Sequence, residues 1–163
     1  MKNMKLGSVA LVVLAVSLVM GLGACKSSGV AVSGRGQVMN IDINVPTDLT
    51  EGGTEEMVVR VANRGINELS NVFFEVEMPR ELVVLSEVPS GGVQRADRMT
   101  TMGSRISQYS AGDIEAATSA EIKYHVRAAF GSLDRTGDIK VTAWSEDLPG
   151  DRLVETKFIK LRR

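Results

Sequence analysis

The chain has 163 residues, enough for one domain of ordinary size plus a leader, and 44 % of them are apolar while only 4 % are aromatic. A core must therefore be filled by Val, Ile, Leu, Met and Ala. The formal charge is −1, with 19 basic side chains scattered among 20 acidic ones, so no basic surplus is available for phosphates and the composition argues against nucleic-acid binding. One cysteine excludes an internal disulfide.

At the N-terminus, Lys2 and Lys5 precede an uncharged run of Leu, Val, Ala, Met, Gly and Ser over residues 6–22. A basic start followed by an apolar stretch is the pattern of a secretory signal. The stretch ends Leu22-Gly23-Ala24-Cys25, which resembles the bacterial lipobox: an aliphatic residue, two small residues that admit a membrane peptidase, then a cysteine whose thiol takes up diacylglycerol. The resemblance implies a signal peptide over residues 1–24 and lipid on Cys25. Loss of residues 1–24 removes Lys2 and Lys5, leaving 17 basic and 20 acidic side chains, a net charge of −3. The alternative is an uncleaved anchor, because the run is near the shortest that spans a bilayer. The small residues before Cys25 and the polar segment after it oppose that reading. Several acyl chains, each worth about 0.8 kcal/mol per buried CH₂, would hold the protein permanently.

Lys26 follows the cysteine where an aspartate would favour inner-membrane retention, which leans the protein toward the outer membrane. Residues 26–36 are rich in Gly and Ser and read as a flexible tether, so residues 25–37 form an acylated cysteine and linker.

From residue 38 to 163 apolar and polar side chains alternate in short segments, the period of half-buried strands. The segments are Val38–Val45, Met57–Val61, Asn71–Met78, Leu82–Leu85, Ile106–Tyr109, Glu121–Phe130, Ile139–Trp144 and Leu153–Leu161. In the clearest, Ile122, Tyr124, Val126, Ala128 and Phe130 point one way, and Glu121, Lys123, His125 and Arg127 the other. Phe158 and Ile159 are both apolar, which indicates a bulge or a two-sided environment. Asn63-Arg64-Gly65, Pro79, Pro89 to Gly92, Ala111-Gly112-Asp113, Asp134 to Gly137 and Leu148 to Asp151 supply the turns. Seven or eight antiparallel strands, each with one apolar face, predict an all-β, immunoglobulin-like sandwich of two sheets.

The order Val59-Arg-Val-Ala-Asn-Arg-Gly65, Leu69-Ser-Asn-Val72, Phe74-Glu-Val-Glu-Met-Pro79, Glu121-Ile-Lys-Tyr-His-Val-Arg127 and Gly131 resembles the bacterial conserved-repeat module called domain of unknown function eleven. It is also similar to the cell-adhesion-related domain found in bacteria. The resemblance runs from about Ile41 to Ile159. It departs at Tyr109 and at Gly112-Asp-Ile114, where the family usually has a tryptophan and a Gly-x-Leu. It implies an immunoglobulin-like envelope module that scaffolds, spaces or adheres, and it carries over no catalytic residues.

Candidates for chemistry are few. His125 is the only histidine, and alternation sends it outward beside Lys123 and Arg127, so a Ser-His-Asp arrangement is not expected. Met99 and Met102 are two soft thioethers that would suit copper(I) in a carrier, or else fill space. Asp134 with Asp138, and Glu146 with Asp147 and Asp151, are calcium candidates, but aspartate is equally at home in turns. Gly91-Gly92 lacks the lysine and helix of a phosphate loop. Trp144 falls by the period-two count opposite Ile139, Val141 and Ala143, where it would meet a partner, but a lone tryptophan in a sandwich is more often core, so a bulge that turns it inward is expected.

The reading is a lipid-anchored, non-enzymatic envelope module for protein interaction, adhesion or scaffolding, with no cofactor. Its partners are the membrane through Cys25 and another envelope protein or a glycan. The alternative is a copper or small-ligand carrier using the methionine loop.

Overall fold

The computed structural model describes residues 38–101, 103–131 and 134–163. The leader, Cys25, the tether and Met102 lie outside the described residues. Ten strands follow in order: β1 (Met39–Asn44), β2 (Asp48–Thr50), β3 (Thr54–Asn63), β4 (Leu69–Pro79), β5 (Leu82–Ser90), β6 (Gln94–Thr100), β7 (Ser104–Ile114), β8 (Ser119–Ala128), β9 (Arg135–Trp144) and β10 (Leu153–Arg162). They form a four-stranded sheet, β1-β3-β8-β5, and a six-stranded sheet, β2-β10-β9-β4-β7-β6. Two facing sheets are what one-sided strands require.

The alternation read from sequence holds in the strongest strands. Ile122, Tyr124, Val126 and Ala128 of β8 are buried, as are Val72, Phe74, Val76 and Met78 of β4. Between the layers Phe74 stacks on Tyr109 at 5.3 Å, and Tyr109 meets Tyr124 edge-on at 6.4 Å. The Tyr124 hydroxyl donates to the Tyr109 hydroxyl at 2.9 Å, satisfying two buried polar groups with each other. Burial first, and Tyr109 second, push the Tyr124 hydroxyl well above the usual tyrosine range.

The layers are closed at both sides. At one side Pro46 ends β1, since a proline cannot donate to a ladder, and the chain crosses to the other sheet. There β2 pairs in parallel with β10. At the other side Glu87 of β5 reaches Arg95 and Arg98 of β6, the latter at 2.7 Å, and its side chain is only 8 % exposed. Register shifts lie between Val84 and Ser86 in β5 and between Arg95 and Asp97 in β6, on the two strands this cluster joins.

The Asn-x-Gly turn after β3 has a specific cause. Buried Asn63 donates through Nδ2 to the carbonyls of Asn67 (2.8 Å) and Ile114 (2.9 Å), and its Oδ1 accepts from Gly65 N at 2.8 Å. It ties the turn to the end of β7.

Four sequence expectations are settled in detail. Phe130 does not continue the inward row of β8. The strand ends at Ala128, the Ala129 amide bonds to the Glu81 carbonyl, and Phe130 turns out over Gly52 with 75 % exposure. The predicted break at Pro89 begins only at Gly91, because β5 is an edge strand and tolerates Pro89. Ala111-Gly112-Asp113 belongs to β7 rather than preceding a strand. Phe158 and Ile159 are adjacent without a bulge: Phe158 faces out and Ile159 in.

Candidate functional site

The outer face of the six-stranded sheet is the feature that a solvated sheet does not need. Trp144 of β9 sits there, opposite Phe73 of β4 in the ladder, which corrects the expected core placement: the register of β4 and β9 is unbroken, so no bulge turns the ring inward. The two rings stack with centroids 6.0 Å apart and planes 19° from parallel. Arg152 lies over the Trp144 ring, its guanidinium carbon 4.9 Å from the centroid. Arg152, from the loop before β10, thus joins Trp144 of β9 and Phe73 of β4 in one cluster. Among the described residues no carboxylate forms an ion pair with Arg152, although cation–π contact holds its fork in place. Along the same face Val154 is 48 % exposed, Phe158 63 % and Met99 57 %. Met99 pairs with Ile106 on the neighbouring strand.

Charge on this face is divided. The β9–β10 half presents Lys140, Arg152, Lys160 and Arg162 against Asp138, all exposed. The β4–β7–β6 half presents Glu75, Glu77 and Asp97, while Arg95 and Arg98 turn to Glu87. A shallow open cleft of about 530 Å³ at the β6–β7 turn end is crossed by two ion pairs, Arg135–Glu81 at 3.3 Å and Lys140–Glu77 at 4.0 Å.

The opposite face, on the four-stranded sheet, is mainly polar at its centre, with exposed Leu85 and Val88 on the edge strand β5. Arg60 donates to Glu121 at 2.7 Å, and Lys123 stands 3.9 Å from the same carboxylate. The Glu121 carboxylate raises the Arg60 pKa by hydrogen bond and charge. His125 is exposed here as expected. Register places Ser86 of β5 on one side of it and Glu56 of β3 on the other, a juxtaposition the sequence did not reveal. No hydrogen bond links the three among the described residues, and they stand on an open sheet surface. Nucleophilic chemistry needs a bonded pair and donors aimed at an oxyanion, and neither is built here.

The acidic loop residues act as backbone anchors. Asp147 accepts from the Ser70 amide at 2.5 Å, and Glu146 accepts from Asn71 Nδ2 at 2.8 Å. Together with Asp113, which accepts from the Asn71 amide at 2.9 Å, they hold Asn71 at a φ of 46°. Asp134 accepts from the Arg163 amide at 3.0 Å. No group of three His, Cys, Asp or Glu suited to a metal occurs among the described residues. Met99 lies on the outer face of β6, and its candidate partner Met102 lies outside the described residues.

The chain matches no family model and no curated protein. Among solved structures it is similar to a cohesin module from a Clostridium perfringens family 33 glycoside hydrolase, with a TM-score of 0.53 and 14 % identity over 77 % of this chain and 97 % of that one. A non-cellulosomal cohesin from the archaeon Archaeoglobus fulgidus superposes with a TM-score of 0.50 at 11 % identity, covering 77 % of this chain and 91 % of its own. The fold is cohesin-like. AvmM, which catalyzes macrocyclization in alchivemycin A biosynthesis, is also similar, with a TM-score of 0.55 and 14 % identity over 78 % of this chain and 90 % of that one. One sandwich therefore serves both binding modules and an enzyme, and function has to be argued from surfaces. Of the resemblance to the conserved-repeat module, the immunoglobulin-like sandwich is what these similarities support.

Proposed function

We propose that this chain is a lipid-anchored, non-enzymatic module of the bacterial cell envelope that holds a partner protein on the outer face of its six-stranded sheet. The observation that carries the reading is the Phe73–Trp144–Arg152 stack, flanked by exposed Val154 and Phe158. Tryptophan and arginine are the side chains most often dominant in protein contacts, above all when held rigid. The stack also favours a protein over a glycan. Arg152 lies over the Trp144 ring, where a sugar would otherwise stack. The fold is shared with cohesin modules and with an enzyme alike, so it is compatible with a binding role and the surface carries the argument.

The anchor is argued from sequence: the lipobox-like Leu22-Gly23-Ala24-Cys25, followed by the Gly/Ser tether, moors the domain at one end, and Lys26 directs it to the outer membrane.

Replacing Trp144 and Arg152 by Ala in the intact lipoprotein tests the binding reading by crosslinking pulldown from its own envelope. A specific partner recovered with the wild type and lost with the variant is the expected result. Equal recovery by both proteins would overturn the assignment to this face. Cys25→Ser tests the anchor, with loss of palmitate labelling and retention of the uncut leader expected, whereas unchanged labelling and processing would overturn it.

A further inference from the structure

We infer that the partner on this face is a second copy of the same chain, joined about a two-fold axis that runs parallel to the strands. The inference rests on the reading above, that this face binds protein, and it names the occupant.

The first support is the division of charge. Lys140, Arg152 and Lys160 outnumber Asp138 on the β9–β10 half, while Glu75, Glu77 and Asp97 lie on the β4–β7–β6 half, with Lys140 and Glu77 4.0 Å apart across the boundary. When the strands of two identical faces pack aligned, the two-fold axis in the plane of contact runs either parallel to the strands or across them. The axis across the strands lays β10 on β10 and sets cation against cation. The parallel axis lays each basic half on the acidic half of the other copy. Like charges opposed at an interface are strongly unfavourable, so the charge pattern selects the parallel axis.

The second support is where that axis puts the apolar side chains. Placed between β9 and β4, it brings the Trp144–Phe73 pairs of both copies together, because these residues are register partners on those two strands. The aromatic anchors then sit on the axis, with the charges of Lys140 and Glu77 of the two copies crossing beside them.

The third support is direction. Val38 begins the described chain at the same end as the turn after β3, where the Arg64 amide bonds to the Val38 carbonyl. A two-fold axis along the strands keeps those ends on one side, which suits two copies anchored in one leaflet, and the axis across the strands puts them on opposite sides.

Five strands about 4.8 Å apart, over about 24 Å of length, offer roughly 600 Å² per copy, at the low end for a specific interface. A weak dimer is therefore expected in solution, strengthened when both copies are confined to a membrane.

All ten strands and both faces of the core lie within residues 39–162, so a chain starting at residue 37 contains the whole fold. Sedimentation equilibrium of that chain, from micromolar to millimolar concentration, is expected to show a monomer–dimer equilibrium. Lys140→Glu and Glu77→Lys should each weaken it by about tenfold or more, and the double exchange should restore it. Circular dichroism confirms that each variant is folded. A monomer at every concentration, or a dimer indifferent to both single exchanges, overturns the inference. If the chain stays monomeric while the Trp144 face still captures another envelope protein, the dimer is wrong and the binding reading stands. If neither association occurs, both are wrong.

Discussion

Deleting one hydroxyl from the buried tyrosine pair gives a quantitative test of the core. Tyr124→Phe keeps the ring that meets Tyr109 edge-on, but removes the donor 2.9 Å from the Tyr109 hydroxyl. Tyr109 is 1 % exposed, so its hydroxyl would lose its partner without gaining water. A buried hydroxyl left unpaired costs about 1–3 kcal/mol, whereas removing both partners together is close to neutral. Each single variant should therefore lose about 1–3 kcal/mol, and the double variant Tyr109→Phe/Tyr124→Phe less than the sum, with a coupling of about 1–2 kcal/mol. Urea unfolding, followed by circular dichroism and the fluorescence of Trp144, measures all four corners of the cycle. Additive losses would refute the claim that the hydroxyls satisfy each other.

The same residue predicts an alkaline limit. Its folded pKa lies above the ordinary value of 10.0, so the unfolded chain ionises first. The stability this supplies is fully present below about pH 10 and is lost as pH rises beyond it, and Tyr124→Phe should flatten that decline. Glu87→Gln should cost about 1–3 kcal/mol, because Arg95 and Arg98 lose a shielded carboxylate yet still reach water. Hydrogen exchange should then show the β6 amides opening before those of β7 and β8, and unchanged protection would contradict the clasp. In β9, Gly137→Ala would put a Cβ 2.7 Å from Pro79 Cγ and is expected to cost about 1–3 kcal/mol by denaturant titration. The Asp48 carboxylate, held below its ordinary value of 3.8 chiefly by its hydrogen bond to Arg162, clasps β2 to β10. Its contribution is present above that value and fades as pH falls through the lower folded one, so Asp48→Asn should blunt acid sensitivity in β2 exchange.

The sandwich was readable wherever one face of a strand meets the apolar core. Glu121 to Ala128 and Val72 to Met78 alternate because their inward residues are all greasy. The β6 strand escaped notice because its inward residues are Arg95 and Arg98, which face Glu87, so no apolar period exists to detect. With three residues and one inward side chain, Leu49, the β2 strand offers no period at all. Phe130 misled because alternation cannot foresee that a glycine on another turn, Gly52, leaves room for its ring.

The candidate surface was half readable. Counting by twos puts Trp144 outside, but its neighbour Phe73 comes from a strand 71 residues away, joined only by register, and Arg152 from the loop that follows β9. The split of charge across the face has the same origin. Lys140 and Glu77 stand on adjacent strands that no local pattern connects.

Photo-crosslinking in the native envelope tests the central claim most directly, with a reactive residue placed at Thr142 on the six-stranded face or at Lys123 on the four-stranded face. A discrete adduct, whether with a second copy or with another protein, is predicted from Thr142 alone. An adduct from Lys123 with none from Thr142 would contradict the account.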